Sequence, residues 1–237
     1  PEVWGIYNFT NVDKIHIRFC KNILGVKQQN PNACIYGELG RYPLSLIAKE
    51  RSLKFWTKIM KGDSSPIHNI YFDLCNHYDL RSWATRIHSV IDHLSYTTIL
   101  QDYNANINYF PMLKQRLRDQ YIQDWSTNIR ASNKLEHYCI FKDTFCFEDC
   151  LSKLQSNELR RNFTSLRLGS HKLEIETGRF HNIPRENRLC KLCQQVVVGS
   201  EFHFLLCCNH YHTLRDKYFG NISWPTINKF NNIMSWK

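Results

Sequence analysis

Hydrophobic residues recur at intervals of three and four along most of the chain, a spacing that places them on one face of an α-helix. The first such segment spans residues 11–24, with Asp13 in its first turn and Gly25 placed to end it. A longer segment, Leu44 to Lys61, follows a proline and stops before a glycine. Both patterns predict amphipathic helices.

Similar patterns continue through much of the chain. Residues 67–74, 83–94 and 113–129 repeat apolar positions at helical spacing, and basic residues occupy much of the remaining surface of the third segment. Shorter helical patterns follow at residues 145–154 and 157–168. No internal repeat is visible, which argues against a solenoid. We therefore predict a mainly α fold, built as an irregular multi-helix array.

Length and composition indicate a folded main body with a smaller module. A chain of 237 residues with 43% hydrophobic content can bury one substantial core, and it contains no low-complexity tract. We predict a helical region over residues 1–130, a helical linker region over 131–180, a small metal-binding module over 181–220 and a tail over 221–237.

The chain is strongly basic, with a formal net charge of +10 from 31 Lys and Arg against 21 Asp and Glu. Such an excess favours a polyanionic partner, and nucleic acid is the first candidate. The alternative is that the basic charge only confers solubility. Charge by itself does not choose between the two.

Charged residues interrupt every apolar run well before the roughly 18 residues that a membrane span requires, so no membrane association is expected. The start at Pro1 has no signal-peptide pattern. The missing initiator methionine and the aromatic, apolar opening predict that this sequence is part of a longer one.

Ten cysteines leave two cellular settings open. Three glycosylation sequons, at Asn8, Asn162 and Asn221, would fit a secreted, disulfide-bonded chain. Against this, six cysteines lie within apolar periodic segments, where free cysteine behaves as a small buried hydrophobe. A reducing compartment therefore fits better. Those six are Cys20, Cys34, Cys75, Cys139, Cys146 and Cys150.

The most specific motif is Cys190-x2-Cys193-x9-His203-x4-Cys208. Nitrogen and sulfur ligands in two close pairs suit tetrahedral zinc, because a Cys-x2-Cys knuckle presents both thiolates from one tight turn. Four protein ligands leave no open coordination position, so the predicted role is structural. Spacing alone leaves open that Cys207, His210 or His212 replaces a ligand, or that these cysteines are incidental.

A second metal site could be drawn from His137-x-Cys139 and Cys146-x3-Cys150. Phenylalanine and leucine residues surround these thiols in the sequence. An apolar setting raises the thiol pKa and disfavours the thiolate that metals bind, so this cluster is the weaker prediction.

Several segments resemble the region downstream of the polymerase domain in non-LTR (LINE-type) retrotransposon reverse transcriptases. The resemblance runs nearly end to end, and its last part looks like the family's His-Phe-Leu-Leu-x-Cys-x-x-Tyr pattern, which assigns the fourth ligand to Cys208. The segments that carry it are Glu2-Val-Trp-Gly5, Phe19 to Val26, Asn32 to Pro43, Leu173 to Arg179 and Arg185 to Tyr211.

The resemblance implies a thumb-like and connector-like helical region followed by the reverse-transcriptase-associated zinc-binding motif. In that family the catalytic core lies upstream, and this part is thought to grip template RNA or target DNA. The expected partners are therefore nucleic acid and the upstream polymerase domain, within a cytoplasmic and nuclear ribonucleoprotein. No adjacent Asp pair or hydrolase motif occurs, so no catalytic residue is predicted.

Basic residues on the predicted helix faces and beside the zinc motif are the expected phosphate contacts. These are Lys49, Lys54, Lys58, Arg116, Arg118, Arg160, Arg161, Arg167, Arg185, Arg188 and Lys191. Two alternatives remain open: a protein-interaction module buttressed by zinc, and an inactive fragment of a decayed element.

Overall fold

A computed structural model describes residues 2–62, 65–77, 79, 81–220 and 225–235. Helices account for most of this part of the chain, and its extended pairings are isolated bridges, Leu39 with Phe147 and Leu189 with Val198. The predicted mainly α class is confirmed. Asn221, one of the predicted glycosylation acceptors, lies outside the described residues.

The helices follow one another along the chain with short connections. In order they are α1 (Thr10–Leu24), α2 (Asn32–Leu39), α3 (Leu44–Lys61), α4 (Pro66–Asn76), α5 (Trp83–His93), α6 (Thr98–Gln101), α7 (Phe110–Arg130), α8 (Tyr138–Phe141), α9 (Asp149–Lys153), α10 (Asn157–Arg167), α11 (Glu174–Phe180), α12 (His212–Phe219) and α13 (Ile227–Met234). A π-helical turn spans His203–Cys207, between α11 and α12.

The chain divides into two compact units. The amino-terminal unit comprises Pro1–Phe19 and Arg41–Thr127, and the carboxy-terminal unit comprises Cys20–Gly40 and Asn128–Lys237. Residues 20–40 thus group with the carboxy-terminal unit, which also holds the segments predicted as a separate linker region and metal-binding module.

The amino-terminal unit is built around the apolar face of α3. Leu53 and Trp56 on this face are fully buried, together with Ile87 and Ile91 of α5. Burial of such side chains contributes about 1.5–3 kcal/mol each, and this drives the packing of α3 against α4 and α5. The opposite face of α3 keeps its lysines exposed, as the periodicity predicts.

A hydrogen-bonded relay of aromatic side chains links three helices in this core. Trp56 Nε1 donates to the Tyr71 hydroxyl at 2.9 Å, and that hydroxyl lies 2.6 Å from Nε2 of His88. The relay satisfies polar atoms that would otherwise be buried without a partner. Burial lowers the pKa of His88 below its ordinary value.

On α1, the structure buries only part of the face that the pattern indicates. The apolar positions at helical spacing are Ile15, Phe19, Cys20, Ile23 and Leu24. Cys20 and Leu24 are buried, whereas the other three are more than half exposed. Apolar residues surround more than one side of α1, so periodicity alone cannot choose the packed side.

The carboxy-terminal unit encloses a buried network of ion pairs. Arg167 Nη2 contacts Glu38 Oε1 at 2.8 Å and Glu148 Oε2 at 2.7 Å, and Lys142 also pairs with Glu148. The side chains of Arg167 and Glu38 are completely buried. Removing one partner would leave a buried charge uncompensated, which typically costs about 3–5 kcal/mol.

Candidate metal centre and basic groove

A short hairpin positions Cys190 and Cys193. Leu189 and Val198 form an antiparallel bridge, and the Cys190 amide donates to the Val197 carbonyl at 2.9 Å. Gly199 closes the hairpin, where a Cβ atom would lie only 3.3 Å from Cys190 Cα. The two thiols therefore emerge from one tight turn, as the Cys-x2-Cys spacing predicts.

The π-helical turn His203–Cys207 explains the wider spacing of the second ligand pair. The Cys208 amide donates to the His203 carbonyl at 2.8 Å, a hydrogen bond across five residues rather than the four of an α-helix. His203 and Cys208 consequently lie on the same side of this turn. At its start, the Ser200 hydroxyl accepts from the His203 amide at 3.2 Å.

These two elements bring one imidazole and three thiols together. Their ligand atoms all lie within 4.8 Å of one another. Cys190 Sγ lies 3.9 Å from Cys208 Sγ, and Cys193 Sγ lies 3.3 Å from His203 Nε2. Zinc–sulfur bonds of about 2.3 Å in a tetrahedron would separate two sulfurs by about 3.8 Å, so the four residues can hold a metal ion.

A metal ion binds a neutral imidazole and deprotonated thiols, and the surroundings of the four residues favour some of these protonation states and oppose others. Burial and the nearby Arg215 lower the pKa of His203, which keeps its imidazole neutral. Burial disfavours the Cys190 thiolate, but backbone amides at Leu192 and Cys193 outweigh it and lower the Cys190 pKa. Burial and neighbouring thiols raise the pKa of Cys208 to about 11, so a bound dication would have to displace this proton.

A buried carboxylate fixes the segment that carries His203. His137 Nδ1 and His171 Nε2 each donate to Glu201 at 2.7 Å, and His171 Nδ1 accepts from the Leu173 amide. Although burial favours protonation, these two hydrogen bonds hold the pKa of Glu201 well below its usual range. Sequence spacing does not reveal these hydrogen bonds, because His137 and His171 lie 64 and 30 residues from Glu201.

A second support acts on the last ligand. The guanidinium of Arg215, on α12, donates to the Cys208 carbonyl at 2.9 Å and is itself buried. This contact fixes the backbone at the end of the π-helical turn. Arg215 carries no motif that would have distinguished it from an exposed arginine in the sequence.

The three alternative ligands lie outside the cluster. Cys207 packs with the apolar group of Leu206, Phe230 and Met234, and burial raises its pKa. His210 and His212 are both exposed. Within the part of the chain that the structure describes, the set Cys190, Cys193, His203 and Cys208 is therefore favoured.

The weaker metal cluster does not assemble. Cys139 donates to the Ile129 carbonyl, whereas Cys150 lies beside Glu38 and Glu148. Those carboxylates are already neutralised by the buried ion pairs, and burial raises the pKa of Cys150 to about 12. The residues around Cys150 therefore form an ion-pair network without the free anionic ligands that a metal needs.

A basic groove of about 580 Å³ lies along the exposed face of α3. Arg51, Lys54, Lys58 and Lys61 line it at intervals of three and four residues, so their side chains share one face of the helix. Phe110 forms part of the wall, with Lys54 Nζ 5.9 Å from its ring centre. Lys54 and Lys58 were expected contacts; Arg51 and Lys61 could have been found from the same periodicity.

The other predicted cations of the amino-terminal unit have different surroundings. Lys49 and Arg116 are exposed. Arg118 is held by Glu50, with its Nη2 donating at 3.0 Å, and it stacks over the ring of Tyr42. Arg118 therefore supports the fold in addition to any external contact.

Arg167 corrects one prediction. The sequence places it on the basic face of α10, among the expected phosphate contacts, but its guanidinium is enclosed by Glu38 and Glu148 and stacks on Phe141. It cannot reach a phosphate without breaking the buried network. An arginine at helical spacing looks the same in the sequence whether it faces solvent or a buried acid.

The predicted cations beside the metal centre mostly make internal contacts. Arg185 pairs with Glu136, and Lys191 pairs with Glu174 at 3.0 Å. Arg188 donates to two backbone carbonyls, those of Ile175 and Ile183. Arg185 and Lys191 remain exposed, whereas Arg188 joins α11 to the hairpin.

None of the described helices combines the length and the apolar character needed to cross a membrane. No protein-family model, no curated protein and no solved structure matches the chain.

Proposed function

We propose that Cys190, Cys193, His203 and Cys208 bind a structural zinc ion. Three thiols and one imidazole are the donors that zinc prefers, and hard cations such as magnesium or calcium favour oxygen ligands. All four coordination positions would be filled by the protein, so the ion would organise the fold and take no part in a reaction. Structural zinc can supply folding free energy on the order of 10 kcal/mol at neutral pH.

Two adjacent cysteines allow a matched test of this site. Cys208→Ser should remove a ligand and abolish stoichiometric zinc, whereas Cys207→Ser should retain it because that thiol packs in an apolar cluster. Zinc content is measured by plasma mass spectrometry on purified protein, with folding followed by circular dichroism. Equal zinc content in the two variants would contradict the ligand assignment.

We further propose that the chain is a non-catalytic nucleic-acid-binding region, as in the retrotransposon reverse transcriptases that it resembles. The observation that carries this proposal is the groove on α3, where four cations line one face. Cations spaced along a helix suit the repeating phosphates of a nucleic-acid backbone and give affinity without strong sequence choice. The upstream polymerase domain and a cellular ribonucleoprotein setting belong to the same proposal.

The salt dependence of RNA and DNA binding tests the groove. Each phosphate contact to duplex DNA contributes about 0.9 to the slope of log affinity against log salt concentration. The double variant Lys54→Gln with Lys58→Gln should therefore make the salt dependence shallower, with a slope smaller in magnitude by about 1.8. It should also weaken binding at low salt. Fluorescence anisotropy with labelled RNA and DNA oligonucleotides measures both quantities.

The control is Lys14→Gln with Arg18→Gln, which removes two exposed charges of α1 in the same unit but outside the groove. This variant should keep the wild-type slope. A flat salt dependence of the wild-type chain, or equal losses in the two double variants, would count against the groove as the nucleic-acid contact.

A further inference from the structure

A second cavity, of about 320 Å³, lies in the carboxy-terminal unit. Five of its nine lining residues are apolar and come from the end of α1, the end of α2 and the segment around α9, and the other four are polar residues of α10. Two of the apolar residues at this cavity, Ile23 and Phe147, are about half exposed, at 53% and 51%. It shares no lining residue with the metal centre. The apolar lining residues are Ile23, Leu24, Leu39, Phe147 and Leu151.

Two arginines border this apolar cavity. Arg160 is held in place, because its guanidinium donates to the Leu151 carbonyl at 3.3 Å and to the Asn157 side chain. The stem of Arg161 crosses Gly25, where a Cβ atom would lie 2.4 Å from Arg161 Cγ. Neither arginine takes part in an ion pair with another described residue, whereas Arg167 on the same helix pairs with Glu38 and Glu148.

The cavity also contains an unsatisfied polar group. Thr164 lines it, is almost completely buried, and its hydroxyl has no hydrogen-bond partner among the described residues. A buried hydroxyl without a partner costs about 1–3 kcal/mol.

We propose that this cavity binds an acidic peptide segment of a partner protein, with one large apolar side chain inserted between Phe147 and Leu151 and carboxylates on Arg160 and Arg161. Apolar anchors in pockets flanked by paired charges are a common basis of peptide recognition. Carboxylates on the ligand would complement these two arginines, which have no ion-pair partner among the described residues. This site goes beyond the proposed nucleic-acid function and lies in the other unit.

A nucleobase is the alternative occupant, and the lining argues against it. A base presents hydrogen-bonding atoms around its edge, whereas the polar lining residues all lie on α10 and the lining from α1, α2 and the segment around α9 is apolar. The unmet atoms of the base would then be buried at a cost. An aliphatic or aromatic side chain loses nothing in the same surroundings.

Binding of labelled synthetic peptides to the full chain tests the proposal. The first peptide set flanks a varied apolar residue with glutamates, the second replaces the glutamates by glutamines, and the third replaces the apolar residue by alanine. Anisotropy should show binding of the first set, with affinity at least about tenfold lower for the other two.

Variants of the chain then locate the binding. Arg160→Gln with Arg161→Gln, and separately Phe147→Ala, should each weaken binding of the first set by about tenfold or more. Lys217→Gln with Lys229→Gln removes two exposed charges of the same unit outside the cavity and should have no effect. Phe147 is half exposed, so its truncation is expected to leave the fold intact, as circular dichroism can verify.

Three outcomes would overturn the proposal. The first is that the glutamate-containing set binds no better than the glutamine set. The second is that the cavity variants bind these peptides as well as the wild type does. The third is that the cavity variants lose affinity for RNA oligonucleotides while no peptide binds. None of these depends on the Lys54 and Lys58 measurements, so the two proposals can fail separately.

Discussion

Gly40 shows how much one residue can determine in the carboxy-terminal unit. It adopts a φ of 54°, and a Cβ atom there would lie 2.3 Å from the backbone nitrogen of Phe147. This close approach allows Leu39 to bridge to Phe147 and the Glu148 amide to donate to the Glu38 carbonyl. The absence of a side chain at Gly40 thus brings Glu38 and Glu148 together around the buried arginine.

Gly40→Ala should accordingly lower the free energy of unfolding by about 3 kcal/mol or more, because backbone atoms cannot move aside as a flexible side chain would. Gly169→Ala is the matched control, since Gly169 has a φ of 58° but its Cβ would meet only ordinary contacts at 3.5 Å. That variant should lose only the roughly 1–2 kcal/mol of a left-handed conformation. Urea unfolding measures the free energy of unfolding of both variants. Equal losses of stability would contradict the predicted steric clash between a Cβ atom at position 40 and the backbone of Phe147.

For single residues, the sequence predicts candidate metal ligands more reliably than it predicts which basic side chains are free to contact a phosphate. The spacing of Cys190, Cys193, His203 and Cys208 reflects local turns, so the cluster in the structure agrees with a prediction made from the motif. Arg161 and Arg167, by contrast, lie on one helix and differ only in what packs against them. That difference is set by distant residues such as Glu38, which local patterns do not reveal.

Helices of strong amphipathic character were the most predictable elements. The predicted bounds Leu44 to Lys61 match those of α3, and α1 and α10 agree to within one residue. Helix α11 was not predicted, because its seven residues are too few to display a period. The π-helical turn was also missed, since a five-residue hydrogen bond has no clear residue preference and is stabilised by its surroundings.

The relay between α3, α4 and α5 makes the amino-terminal unit sensitive to acid. Burial lowers the pKa of His88, so between that pKa and the ordinary value of 6.5 the unfolded chain binds more protons than the folded one. The free energy of unfolding should therefore fall as the pH drops through this window. Urea unfolding at a series of pH values measures the slope.

His88→Gln is the test of this assignment. The variant should be less stable at neutral pH, because the contact with Tyr71 is altered, but its stability should depend less on pH below 6.5. His16 and His203, whose pKa values are also lowered by burial, remain in both proteins and contribute to the residual slope. An unchanged slope in the variant would mean that His88 does not carry the effect.

For the whole molecule, the division into two units predicts that removal of the proposed zinc ion acts unevenly. All four ligands lie between residues 190 and 208, within the carboxy-terminal unit. A strong chelator should therefore increase amide hydrogen exchange in that unit and leave α3 and α5 protected. Exchange followed by mass spectrometry resolves the two units, and an equal loss of protection in both would contradict this picture.

The two faces of α3 couple ligand binding to stability. One face forms the core around Trp56, and the other lines the groove, so the groove exists only while this core is folded. A polyanion that occupies the groove binds the native state alone and shifts the unfolding equilibrium by mass action. At a free concentration one hundred times its dissociation constant, the gain is about 2.7 kcal/mol, and the melting temperature of the amino-terminal unit becomes a direct measure of occupancy.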